Sequence, residues 1–207
     1  MSIQIFTMQK TILYFLISML LLSSCNSYDK LLKSNDSMAK LDAAKEYYKK
    51  KKYIKAITLL ESVAPNFKGT DKSEEVLYLT AKANFDNKDY FTASNYFSTY
   101  TKTFPRGINA DECWYMVGFC AYKDSPDARL DQAPTIEAIG AFDEYLQIYP
   151  NGKYATEAHT YLNELYEKLA YKAYLNAKLY YDLGNYLGNN YLSAVITANN
   201  AIKSYPN

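Results

Sequence analysis

The sequence is poor in the residues that do chemistry. It has one histidine, His159, with no Ser, Cys or Asp arranged near it for a nucleophilic site, so a surface position on a helix is expected for it. It has three cysteines, too few and too scattered for a disulfide framework or a zinc site. Cys113 and Cys120 lie seven residues apart, which on a helix is one face two turns on. Their Cα atoms would then stand about 10 Å apart, beyond disulfide reach, so two buried thiols are expected. No glycine-rich phosphate loop and no metal-ligand cluster is present, so no metal is expected. Charge excess is also missing. Twenty-three Lys and Arg against 22 Asp and Glu leave a formal net charge of +1, which argues against nucleic acid as a partner. The only basic block, Lys49 to Lys52, reads as a solvated turn between helices. No stretch alternates with period two, so no sheet is expected. These absences argue against an enzyme.

Also missing is an apolar run long enough to span a bilayer, which takes about 20 residues. Thr11 to Leu22 supplies twelve, preceded by Lys10 and followed by small residues. That is the form of a secretory signal peptide. Met8 is an alternative start, since Met8-Gln9-Lys10 makes an adequate charged region. Leu22-Ser23-Ser24-Cys25 resembles a lipobox, the cleavage site of bacterial lipoproteins. The resemblance implies cleavage before Cys25, diacylglycerol on its thiol and acylation of the new amino group. No cofactor beyond this covalent lipid is expected. Residues 1–24 are read as the signal peptide and 25–38 as the lipidated cysteine with a polar tether. Asn26, where aspartate often marks inner-membrane retention, favours the outer membrane.

What the sequence has in abundance is tyrosine, 23 of its 33 aromatic residues. A tyrosine ring buries apolar area while its hydroxyl keeps a hydrogen bond, which suits thin helical layers near water. The aromatics recur with small residues at a fixed period. Ala44, Tyr48, Tyr53, Ala56, Leu60 and Phe67 return 37 residues later as Ala81, Phe85, Tyr90, Ala93, Phe97 and Phe104. A third copy starts at Gly118 and takes eight inserted residues before Ala138, Phe142, Tyr145 and Tyr149-Pro150. In a fourth, Ala177 and Tyr181 are followed, after five inserted residues, by Tyr191, Ala194, Ala198 and Tyr205-Pro206. Small residues let two helices approach closely, aromatics fill the spaces between pairs, and proline ends the second helix. Asp71 with Glu74 and Asn109 with Glu112 have capping-box spacing. Glu74-Glu75 and Asp111-Glu112 sit where helix starts are expected and the dipole favours acids. Trp114 falls on a first-helix core position.

Units of this length and pattern resemble tetratricopeptide repeats. The fold class expected is all-α, a tetratricopeptide-repeat superhelix (α-solenoid) of about four helix-turn-helix repeats over residues 39–207. The repeats are placed at about 39–68, 71–105, 109–150 and 154–206. One repeat cannot bury its own faces, so stacking supplies the core.

The lipobox followed closely by such repeats resembles the BamD family, lipoproteins of the outer-membrane β-barrel assembly machine. The third-repeat insertion is the most specific match. Its Ser125, Pro126, Leu130, Asp131 and Gln132 carry the family pattern, followed by Ala138, Ile139, Phe142, Tyr149 and Pro150. Asp131 is read first as a cap for the helix that begins near Gln132. Leu165 to Tyr181 resembles the family's long fourth-repeat helix. Against the family pattern a fifth repeat is expected to be missing here, and the insertion at 185–189 is unusual. The resemblance implies a lipid-anchored scaffold at the periplasmic face of the outer membrane. Its implied partners are the periplasmic domains of the barrel insertase, unfolded outer-membrane proteins and, through the anchor, the membrane. By repeat geometry Lys45, Tyr48, Tyr78 and Lys82 are candidates for a substrate-binding groove. The alternative is an envelope repeat lipoprotein that binds glycan or peptidoglycan fragments on aromatic platforms.

Overall fold

A computed structural model describes residues 24–186 and 188–205. The signal-peptide segment before Ser24 and the end of the chain at Pro206-Asn207 lie outside the described residues. Within them every regular element is a helix, running α1 (Ser24–Leu32), α2 (Ser37–Lys49), α3 (Tyr53–Phe67), α4 (Ser73–Asp86), α5 (Tyr90–Thr103), α6 (Ala110–Asp124), α7 (Ala133–Ile148), α8 (Ala155–Leu183) and α9 (Asn190–Ser204). Two compact units divide between Val76 and Leu77, inside α4.

The first unit centres on the α2–α3 hairpin. Leu41, Ala44, Ala56, Leu59, Leu60 and Val63 are fully buried, so Ala44 and Ala56 stand at the helix contact as their spacing requires. Asp36 caps α2, its side chain accepting from Ala39 N at 2.9 Å. Lys49 to Lys52 form the exposed turn, with Lys51 in the left-handed region at φ 57°. Lys88, 37 residues on in the same repeat register, has φ 66°. The segment expected as a polar tether carries α1. Its Tyr28 ring meets Tyr47 edge-on at 5.5 Å, and its hydroxyl donates to Lys55 O at 3.3 Å. This one aromatic anchor gives the short polar helix a surface to pack on.

The second unit holds the larger core. Ala81, Ala93, Phe97, Tyr100, Cys113, Cys120, Ala138, Phe142 and Tyr145 are fully buried in one cluster, with Leu162 and Leu165 of α8. Gly118 earns its place by contact: a Cβ there would stand 2.7 Å from Cδ1 of Phe142. Cys113 and Cys120 are free and buried, and burial pushes the Cys120 thiol up to about 12. Trp114 is half-buried against this cluster, and His159 is exposed on α8. α5 and α7 stop at Thr103 and Ile148, one residue before Phe104-Pro105 and Tyr149-Pro150, as proline requires. α8 is a single 29-residue helix with two roles. Its first half packs on the third pair, and its second half lies beside α9, where Ala194 is buried.

α4 starts at Ser73, two residues beyond Asp71. The capping box expected at Asn109 and Glu112 does not form. Asn109 holds the N-cap position of α6, but its side chain makes no cap bond, and Glu112 is engaged with another helix.

Candidate functional site

The first helices carry the residues expected to face a groove. Each of the charged ones meets the acidic first turn of the next repeat's first helix. In the first unit, Lys45 of α2 forms an ion pair with Glu75 of α4. That ammonium holds the Glu75 carboxyl below its ordinary range. In the second unit, Lys82 of α4 pairs with Glu112 of α6 at 3.1 Å. The two pairs are the same contact, 37 residues apart at both ends. Tyr78 joins Lys82, its hydroxyl donating to the other oxygen of Glu112 at 2.9 Å. Burial, then the Glu112 charge, pushes the Tyr78 hydroxyl well above the ordinary tyrosine value. Tyr115 stands one repeat on from Tyr78 and donates to Glu157 of α8 at 3.1 Å. Tyr122 donates to Glu164 at 2.5 Å. Tyr48 is half-buried, its ring 5.7 Å from that of Tyr53. The four expected groove residues are thus placed in two units. Lys45, Tyr78 and Lys82 hold neighbouring repeats in register through Glu75 and Glu112, a use that the dipole reading of those acids missed.

The third-repeat insertion is a closed polar network. Gln132 is buried at 5% exposure. Its amide nitrogen donates to Asp127 O at 2.9 Å and to Leu130 O at 3.0 Å, and its amide oxygen accepts from Thr135 Oγ1 at 2.7 Å. Thr135 and Ser125 share a hydrogen bond of 2.6 Å. From α8, Lys168 Nζ reaches Ser125 Oγ at 2.6 Å, and Lys172 Nζ reaches Leu130 O at 2.6 Å. Asp131 takes Ala133 N at 3.3 Å, an exposed turn contact beside the helix start rather than the cap, which is Gln132. Leu130 itself is 59% exposed, and Pro126 is half-buried. An open groove of about 390 Å³ runs between this loop and α8, lined by Gln132, Ile136, Leu169, Lys172 and Tyr205.

Two apolar features stand out on the surface. Ile54, Phe91, Ile136 and Leu192 occupy one register position, two residues before the small alanine of each second helix, and are 69%, 74%, 61% and 60% exposed. The second is the far end of α8 with α9. Tyr174, Tyr181, Ala194, Val195 and Ala198 line a groove of about 470 Å³, and Val195 and Ile202 are 57% and 67% exposed around it. Among the described residues no helix is long and apolar enough to cross a membrane, and no group of His, Cys, Asp and Glu could hold a metal ion.

Successive helix-turn-helix pairs, with small residues at the contacts and a polar inter-repeat register, define an all-α protein of the tetratricopeptide-like α-solenoid class. The chain belongs to the YfiO family, described as outer membrane lipoprotein, whose model matches residues 34–207. It is 27% identical over 135 residues to a protein of Aquifex aeolicus named putative outer membrane protein assembly factor BamD, covering 65% of this chain and 42% of that one. It is 27% identical over 100 residues to the outer membrane protein assembly factor BamD of Caulobacter vibrioides, covering 48% of this chain and 33% of that one. The matched stretch spans less than half the length of either relative.

Proposed function

We propose that this protein is a non-enzymatic, lipid-anchored scaffold of outer-membrane β-barrel protein assembly, held at the periplasmic face of the outer membrane by a lipid on Cys25. The observation that carries the reading is the family match over residues 34–207, supported by two relatives named as assembly factors. The periplasmic domains of the barrel insertase and unfolded outer-membrane proteins are the partners we assign. The apolar groove between α8 and α9 suits a protein partner, because exposed Tyr and aliphatic side chains supply contact area without charge to desolvate. Lys45, Tyr48, Tyr78 and Lys82 remain the proposed substrate contacts, under one constraint set by their partners. A substrate carboxylate reaches Lys45 or Lys82 only by competing with Glu75 or Glu112.

The test is co-purification from solubilised membranes, with the captured proteins identified by mass spectrometry. A β-barrel insertase and barrel precursors among them are expected, and their consistent absence overturns the assignment. The anchor is tested separately. Intact mass of the membrane-extracted protein should show a chain cleaved before Cys25 and acylated, and an unmodified Cys25 rejects the anchor.

A further inference from the structure

We propose that the lysine turn of the first helical pair binds the headgroups of anionic phospholipid and lays the first unit on the membrane surface beside the acyl chains. The proposal rests on acylation at Cys25, as read above.

The first observation is the charge of the turn. Lys49, Lys50, Lys51 and Lys52 are all exposed between α2 and α3. Lys49 has Glu46 at 3.1 Å, whereas Lys50, Lys51 and Lys52 have no carboxylate partner among the described residues. The turn backbone is fixed, with Lys51 N donating to Tyr48 O at 2.8 Å and Lys52 N to Tyr47 O at 2.9 Å. Three adjacent ammonium groups on a rigid turn repel one another unless an anion lies across them. Ile54, 69% exposed, follows on the first turn of α3. The corresponding turn of the second pair reads Asp86, Asn87, Lys88, Asp89 and carries the opposite sign of charge. The basic turn therefore belongs to the pair that follows Cys25 and is not a general property of the repeat.

The second observation is the path of α1. Tyr28 is held by Tyr47 and Lys55, which flank the lysine turn on its two sides, and Lys55 Nζ sits 4.8 Å over the Tyr28 ring. From Leu32 the chain must return to Ser37, at the end of α2 away from that turn. Cys25 lies three residues before Tyr28, about 4.5 Å along the helix. The helix that carries Cys25 is thus fixed, through Tyr28, beside the two residues that flank the lysine turn. A basic patch beside a lipid chain is the usual second signal for stable, oriented membrane contact. Each lysine near an anionic surface strengthens partition about fivefold, so three supply roughly 100-fold.

The test uses the acylated protein on vesicles and its rate of tryptic cleavage after Lys50, Lys51 and Lys52. Neutral phosphatidylcholine vesicles are compared with vesicles in which about a third of the lipid is phosphatidylglycerol. We expect cleavage in this turn to slow about tenfold on the anionic vesicles and to recover at about 1 M salt, where the Debye length falls to about 3 Å. Cleavage after Lys88, in the same register of the next repeat, should be equal on both vesicles. Equal rates in the lysine turn on the two vesicles overturn the proposal, as does equal slowing at Lys88. The acyl anchor is read independently, as flotation with neutral vesicles. Loss of that flotation rejects the Cys25 reading, whereas protection of the lysines on anionic vesicles reports the patch alone.

Discussion

The hydroxyl of Tyr145 donates to Oδ1 of Asp111 at 2.7 Å and accepts the backbone N–H of Tyr154 at 3.1 Å. One buried phenol thus ties the second helix of the third repeat to the start of its first helix and to the start of α8. The residue one repeat earlier, Tyr100, does part of the same work, accepting Asn109 N at 3.1 Å. In both cases the hydroxyl reaches nine residues ahead, across the inter-repeat turn. Tyr145→Phe keeps the ring and leaves a carboxylate oxygen and a backbone N–H without this partner. A loss of about 1–3 kcal/mol is expected in denaturant unfolding, with an unchanged slope. A loss of under about 0.3 kcal/mol would show that water replaces the hydroxyl.

Gly118→Leu tests the closest helix contact in the second unit. A Cβ at this position would meet the Phe142 ring at 2.7 Å, and Phe142 is fully buried. Overpacking should lower stability by roughly 1–3 kcal/mol or more, read as a fall in the thermal midpoint. A companion Phe142→Leu change frees ring volume and should restore part of the loss. Independent, additive effects of the two substitutions would deny that they touch.

Gln132→Leu tests the insertion network. The variant keeps the side-chain bulk but removes two donated bonds and the acceptor of Thr135. The buried hydroxyl and carbonyls then lose partners, at about 1–3 kcal/mol. A second readout is local: the loop opens, so trypsin cleaves faster after Arg129, which is exposed and held to Asp127 at 2.8 Å. Unchanged cleavage with unchanged stability would mean that Lys168 and Lys172 close the loop without Gln132.

The Lys45–Glu75 pair predicts an acid limb of stability. The folded pKa of Glu75 lies below its ordinary 4.5, lowered first by the Lys45 contact. The unfolded chain therefore takes up this proton first as pH falls. The contribution is present in full above about pH 5 and disappears as pH drops through the folded pKa. Both side chains are 30–40% exposed, so the pair is worth only about 0.2–1 kcal/mol. Glu75→Gln should be less stable than the parent by that amount at pH 7, with the gap closing below pH 4.5. A gap that persists at the acid end would assign it to packing rather than charge.

Small residues, aromatics and prolines at a fixed period made the helical pairs legible in the sequence. Ala44, Ala56, Ala81, Ala93 and Ala138 are fully buried, Ala194 is buried, and Phe104-Pro105 and Tyr149-Pro150 follow helix ends directly. That reading works because a helix pair is local: its period and its stops are written in consecutive residues. The insertion resembles a family pattern in the sequence, but its physical role could not be read there. Gln132 and Thr135 lie within eleven residues of Ser125, yet Lys168 and Lys172, which complete the network, come from about 40 residues further on.

Partner choice was decided by the tertiary structure. Glu112 reads from the sequence as one of an acidic pair at a helix start, and only packing of α4 beside α6 makes it the acceptor for Tyr78 and Lys82. Lys45 and Lys82 read as groove cations, and only the stacking of repeats shows that each is neutralised by the repeat that follows. The short polar helix α1 has little to mark it in sequence; it is set by the meeting of Tyr28 with Tyr47 and Lys55. Periodicity determines which face of a helix is buried, because burial follows from the spacing of apolar side chains along one element. Which charge meets which depends on distances between residues 30 or more apart in the chain, and only the packed helices determine those.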